Sequence, residues 1–292
     1  MSFRETRLIR SFQYRSSRSY RSNARSCSRS STIPFAEQIV QTAARSTNVS
    51  MVSLQAEQKY TAAMSQRPEP IFSVIIPTYN RAWCIERAIE SVLQQTEQRW
   101  ELIIVDDGSS DRTAEIVRPL VLRDERIRLV VQSNRGTGAA RQTGVRLAEG
   151  EFVTFLDSDD QYLPEHLEVR SRYIVEHPAV DFFHGGVIVD GSPMVPDRHN
   201  PAQRISIEQC AVGGTFVIRR SIATALGFAP LRFADDADFF ERAMAAGIRM
   251  LRVREATYRY NRTSPDSLCN QLAQSGSLPT THNVHTSHES AA

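Results

Sequence analysis

Between Ile71 and about Ser267, short apolar runs alternate with helical stripes. Ile71-Phe72-Ser73-Val74-Ile75-Ile76 is nearly continuous in apolar residues and is followed by Pro77. That is the pattern of a strand buried on both faces and ended by the proline. Ile85, Ala88, Ile89, Val92 and Leu93 then fall at the i, i+3, i+4, i+7, i+8 spacing of an amphipathic helix. Leu102 to Val105 predicts a second buried strand, and Asp111 can cap a helix that buries Ile116, Val117 and Leu120. Ile127 to Val131 predicts a third strand, about Gly138 to Ala148 a helix, and Phe152 to Leu156 a fourth strand. Alternation with short connections implies a mostly parallel sheet flanked by helices, an α/β fold. Ligands of such sheets bind beyond the carboxyl ends of the strands.

Composition changes at both ends of this region. Residues 1–32 are rich in Ser and Arg, with Glu5 the only acid. They lack the amphipathic pattern of a targeting helix, so a disordered segment is expected. Residues 33–70 read as a linker or weak helix closed by Pro68 and Pro70. The domain itself is expected over residues 71–269. From 270 to 292 the chain turns polar and is expected to be disordered, with His282, His285 and His288 as solvated tail residues. The formal charge of +2 divides into about +7 over residues 1–70 and about −5 over the rest. The folded part is thus mildly acidic, which argues against nucleic acid as a partner. No apolar run approaches the roughly 18 residues of a membrane span, which leaves only peripheral membrane association open. Cys27, Cys84, Cys210 and Cys269 have no metal-finger spacing and read as free thiols in a reducing, cytoplasmic compartment.

Candidate chemistry lies at the predicted strand ends. The fourth strand runs into Asp157-Ser158-Asp159-Asp160. Clustered carboxylates raise one another's pKa, and a divalent Mg or Mn ion carrying a diphosphate relieves that conflict. The competing reading is an acidic loop that caps the next helix. The first strand ends in Pro77-Thr78-Tyr79-Asn80, where Tyr79 can stack on a nucleobase or serve as a rim aromatic. The second ends in Asp106-Asp107-Gly108-Ser109-Ser110-Asp111, good turn chemistry preceded by two acids that the turn alone does not require. Gly136-Thr137-Gly138 follows the third strand, and Arg141 stands where a dinucleotide fingerprint needs its last glycine. A nicotinamide or flavin site is therefore rejected, while a glycine-rich helix start near phosphate stays open. Asp235-Asp236-Ala237-Asp238 heads a last helix, where ordinary capping competes with catalysis.

In this order, Pro77 to Asn80, Asp106 to Asp111, Asn134 to Gly144, Phe152 to Asp160 and Asp235 to Asp238 resemble the motifs of family 2 glycosyltransferases with the GT-A fold. The resemblance covers about 200 residues, a normal domain size. It implies a GT-A type sheet with a smaller acceptor-binding half. It also implies inverting transfer of a single sugar from a nucleotide-sugar donor, UDP-linked, to a hydroxyl acceptor (a glycan, a lipid-linked sugar or another). The transferred group would be of hexosyl or N-acetylhexosaminyl type. By the same resemblance Tyr79 stacks on the base, Pro77 lines its pocket and Asp107 accepts the base imide N–H. Arg141 contacts the nucleotide-sugar. Asp157 and Asp159 form the D-x-D pair, Asp159 for metal and Asp157 for ribose or metal, and Asp236 is the general base.

Two positions depart from the family pattern. Gln142 replaces the usual Asn, and Asn261 stands where the late Y-R-x-H-x-x-S stretch has His. Two other functions stay in view. One is a degenerate transferase that only binds nucleotide-sugars or protein partners. The other is a sugar nucleotidyltransferase, although Pro77 to Asn80 is not the Gly-rich basic loop that such an enzyme carries after its first strand. Acceptor specificity is expected in residues 180–235, where His184-Gly185-Gly186 and Gly213-Gly214 either bring the chain close to substrate or make tight turns.

Overall fold

A strand whose alternate side chains are all apolar needs a packed layer on each side. The computed structural model supplies both, and it describes residues 69–200 and 203–263. The expectations for 1–68 and 264–292 fall outside those residues. The first half runs β1 (Phe72–Thr78), α1 (Ile85–Leu93), β2 (Trp100–Asp106), α2 (Thr113–Arg123), β3 (Ile127–Val131), α3 (Thr137–Leu147) and β4 (Phe152–Phe155). The second half runs β5 (Gln161–Tyr162), α4 (His166–Glu176), β6 (Phe182–His184), β7 (Val187–Asp190), β8 (Met194–Pro196), β9 (Arg204–Ser206), β10 (Val217–Arg219), α5 (Arg220–Leu226), α6 (Asp235–Ala245), β11 (Met250–Arg252) and β12 (Tyr258–Asn261).

Seven strands form the main sheet in the order β11-β6-β10-β4-β1-β2-β3. Val74, Ile76, Leu102 and Ile104 face α1, where Ile85, Ala88, Ile89 and Val92 close one core layer. Ile75, Ile103, Val105 and Phe155 face the opposite layer, built from Ala140 and Val145 of α3 with Phe239 and Ala243 of α6. The strands β1 to β4 are parallel to one another. Only β10 runs against the rest, pairing antiparallel with both β4 and β6. Two reversals restore the direction, so β6, and β11 parallel to it, point the same way as β4. The carboxyl ends of β1, β2, β4, β6 and β11 therefore share one edge. A small sheet, β5-β12-β7, lies apart from the main one. Among the described residues no helix is long and apolar enough to cross a membrane.

One boundary differs from the sequence reading. The first strand does not end at Pro77 but runs through it to Thr78. Pairing with β4 stops at Ile75 opposite Phe155, whereas pairing with β2 continues to Thr78 opposite Asp106. A proline lacking its N–H is tolerated where one side of a strand is already unpaired.

Candidate active site

At the ends of β1 and β2, side chains knit two loops together. Asn80 takes a left-handed φ of 52°, a conformation Asn tolerates better than most residues. Its Oδ1 accepts from Ser110 N at 2.8 Å, and its own N–H donates to Ser109 Oγ at 2.9 Å. Asp106 Oδ1 accepts from Ser109 N at 2.8 Å. The buried Asp107 accepts from Gln132 Nε2 at 2.7 Å, Arg135 N at 3.0 Å and Gly136 N at 2.7 Å. A carboxylate has about four acceptor positions, so most of this one is already engaged in fixing the loop before α3. Tyr79 stands at the rim, 42% exposed, with its ring available to a ligand.

The three acids after β4 have three different settings. Asp157 is partly exposed and receives Arg141 Nη2 at 2.6 Å. The half-buried Asp159 is not tied to another side chain by an ion pair among the described residues, and burial, then Asp157, push its pKa up against the opposing pull of Arg81, its own backbone N–H and Arg87. Asp160 is buried and turned away from both. It accepts from the Tyr258 hydroxyl and from Asn261 N at 2.8 Å, and burial followed by its two acidic neighbours raises its pKa well above the usual range. The apolar strand thus leads into two acids at the site and one that anchors β12. Asn261, at the family's His position, sits beside this loop and donates from Nδ2 to the Asp159 carbonyl at 3.4 Å. Replacing Tyr258 with Phe should lower stability by about 1–3 kcal/mol, because it leaves a buried acceptor of Asp160 unpaired. Thermal denaturation measures this, and an unchanged midpoint would show that the Asp160 link is dispensable.

Arg141 joins the acids of β4 to those of α6. Its guanidinium is buried, with Nη2 on Asp157 and Nη1 on Asp235 Oδ2 at 2.7 Å. Burial works against its charge, but Asp235, Asp157 and Asp236 together hold the guanidinium firmly protonated. Burial raises Asp235 to about 6 against the pull of Arg141. The expectation that Arg141 contacts the nucleotide-sugar thus meets a residue already engaged at two of its three nitrogens. Its Nε is the one without a partner.

The N-cap position of α6 is Ala234, which has no polar side chain, so the acids lie in the first turn instead. Each has its own surroundings. Asp235 pairs with Arg141, and Asp238 pairs with Arg198 at 3.3 Å and Arg242 at 2.8 Å. Asp236 makes no direct ion pair among the described residues, although its charge acts on Arg141 from further off. Its Oδ2 accepts from Gly213 N at 2.9 Å and its Oδ1 from Ala237 N at 2.8 Å. A Cβ on Gly213 would meet Asp236 Cβ at 2.7 Å, and one on Gly214 would meet the Tyr258 hydroxyl at 2.1 Å. This Gly-Gly pair therefore lets the chain pass close to site residues. Sequence reasoning placed Asp160, Gly213 and the late stretch that begins at Tyr258 in candidate motifs, but did not foresee that Asp160 pairs with Tyr258 or that Gly213 N–H donates to Asp236.

The donors here fit a hard divalent ion. Asp157 and Asp159 offer oxygen ligands, and burial together with Asp157 outweighs the pull of Arg81 and Arg87 on Asp159, a conflict that a cation would relieve. Two carboxylates plus phosphate oxygens and water is a common Mg or Mn arrangement.

Comparison with known proteins gives this arrangement a family. The TuaG glycosyltransferase of Bacillus subtilis, described as putatively acting in teichuronic acid biosynthesis, is 38% identical over 136 residues, 46% of this chain and 54% of its own length. The Escherichia coli WfgD, named UDP-Glc:alpha-D-GlcNAc-diphosphoundecaprenol beta-1,3-glucosyltransferase, is 31% identical over 164 residues, 54% of this chain and 64% of its own. Staphylococcus aureus TarS 1–349 in complex with UDP-GlcNAc superposes with a TM-score of 0.56 at 27% identity, over 66% of this chain and 59% of that one. The chain thus spans roughly half to two thirds of the length of these relatives. The glycosyl transferase family 2 model matches residues 73–227, from β1 through α5, and stops short of the acids that head α6. That match takes in both halves of the sheet and more than half of the sequence, and the chain belongs to glycosyl transferase family 2.

Proposed function

We propose that the chain transfers a single sugar, with inversion, from a UDP-sugar to a hydroxyl of a saccharide or lipid-linked acceptor in the cytoplasm. The observation that carries this reading is the division of charge across the site. Asp236 makes no direct ion pair among the described residues, while its neighbours Asp235 and Asp238 are paired with arginines. An unpaired carboxylate held by backbone N–H groups can take the acceptor hydroxyl proton as the new bond forms, work typically worth 10²–10⁴-fold in rate. The donor nucleotide would lie over Tyr79, with Pro77 and Asp107 around its base. Asp157 and Asp159 would hold Mn or Mg. The ion, when bound, supplies Lewis-acid stabilisation of the departing diphosphate. Arg141 keeps the donor acids and the α6 acids in fixed relation and helps to hold the sugar-nucleotide side of the site. The names of TarS, crystallised with UDP-GlcNAc, and of WfgD, a UDP-glucose enzyme, support uridine as the base.

UDP titrated by calorimetry in Mn is expected to bind at least about tenfold more tightly than in EDTA. A tenfold change corresponds to about 1.4 kcal/mol. Equal affinity in the two buffers would remove the metal from the proposal. Nucleoside diphosphate release from a panel of nucleotide-sugars then separates transfer from a binding-only chain, which would bind UDP and never turn over.

A further inference from the structure

The acceptor half of the sheet brings a second set of side chains to the site edge. His184 ends β6, Arg252 ends β11, and the two are register partners. Beyond them lies a partly open cavity of about 150 Å³, lined also by the 207–212 segment and by Thr215 and Phe240. An engineered protein cavity of about 150 Å³ holds benzene, so this space admits a six-membered ring only with its substituents left in the open mouth. It also adjoins Asp236. Val212 and Thr215, both on its wall, flank the Gly213 whose N–H donates to Asp236 at 2.9 Å. Phe240 follows Asp236 by one helical turn, so the two share a face of α6.

The lining has the chemistry of a polyhydroxyl ring. The Phe240 ring packs edge-on to His184 at 4.9 Å and 75°, which gives an apolar wall. Burial, then Arg252 and Arg170, hold His184 down to about 4, so its imidazole is neutral at ordinary pH. Arg252 and Glu208 also line the cavity. Neither has an ion pair or a side-chain hydrogen bond among the described residues. Guanidinium only donates and carboxylate only accepts. Sugar hydroxyls do both, and the C–H face of a pyranose can rest on an aromatic ring.

We propose that this cavity seats a neutral hexopyranose residue of the acceptor, gripped by Arg252 and Glu208 against Phe240, with its attacking hydroxyl toward Asp236. The assignment rests on the transfer reading and adds the acceptor's chemical class and position to it.

The test uses the full chain with Mn and saturating UDP. Methyl β-glucopyranoside and the methyl glycoside of N-acetylglucosamine are titrated by saturation-transfer NMR, with glucose 1-phosphate as a charged comparison. At least one methyl glycoside is expected to bind in the millimolar range. Arg252→Gln and Glu208→Gln, both at exposed positions, are each expected to weaken it at least fivefold while leaving UDP affinity unchanged. If UDP binds and no glycoside does, or if neither variant matters, the cavity assignment fails alone. If glucose 1-phosphate binds more tightly and depends on Arg252 but not Glu208, the site is for anions and the neutral class is wrong. If UDP itself fails to bind with Mn, the transfer reading falls first.

Discussion

Asp236→Asn is expected to lower sugar transfer at least about a hundredfold, a barrier increase of about 2.7 kcal/mol, with UDP affinity nearly intact. The substitution keeps the size of the side chain and one of its two acceptor oxygens. The bonds from Gly213 N at 2.9 Å and Ala237 N at 2.8 Å cannot both survive, so up to about 1 kcal/mol of stability is expected to go as well. That loss is too small to unfold a domain, and a melting curve checks it. Two neighbours serve as controls. Asp238→Asn disturbs a pair of arginines and should leave transfer within a few fold. Asp235→Asn removes a carboxylate that balances Arg141 and should affect stability and chemistry together. Normal transfer by Asp236→Asn with a dead Asp235→Asn would move the base by one residue. Activity in both would leave the acids of α6 with no part in catalysis.

The half of the fold that was legible in the sequence is the half with the longest buried strands. In β1 and β2 every residue is buried, and each holds an unbroken aliphatic stretch, Val74 to Ile76 and Leu102 to Val105, that reads as a strand whatever lies around it. The strands β6, β10 and β11 are only three residues long. Three residues carry no period, and the antiparallel turn at β10 that brings His184 and Arg252 to the site edge left no trace in the pattern. The candidate site was legible as motifs but not as contacts. Asp157, Asp159 and Asp160 look alike in sequence, yet only the structure separates two acids at the site from one that ties down Tyr258. Likewise the α6 acids read as equal candidates for capping. What distinguishes Asp236 is the absence of a direct ion pair among the described residues, and the arginines that pair with its neighbours lie elsewhere in the chain. Arg141 reaches Asp235 across 94 residues, a separation over which local pattern says nothing. Pro77 shows the reverse error, in which a sound local rule was overridden because β4 ends before the proline needs a partner.

Arg141→Met should be the most destabilising single change in the site. Its guanidinium lies between Asp157 and Asp235, and both Arg141 and Asp235 are almost completely buried. Removing one partner of a buried pair typically costs about 3–5 kcal/mol, because the other charge stays behind without compensation. Asp157 is 33% exposed and can turn to water. Asp235 cannot, so it carries most of the penalty. Burial already raises Asp235 to about 6 with Arg141 in place, and without the guanidinium it must rise further. A carboxyl whose folded pKa lies above its unfolded value of about 3.9 favours folding when protonated. That contribution is complete below the unfolded pKa and is lost as pH rises through the folded one. The deficit of Arg141→Met relative to wild type should therefore be largest near pH 8 and shrink toward pH 5. Urea denaturation at the two pH values measures it. A second change provides the control. Arg141→Met combined with Asp235→Leu removes the stranded acid as well, and replacing a buried pair by apolar groups is often close to neutral. The double variant should regain more than half of the lost stability and lose most of its pH dependence. A deficit that is equal at pH 5 and pH 8, with no recovery in the double variant, would mean that Arg141 acts through its packing against Phe155, 5.9 Å from the ring centroid, and not by balancing the two acids.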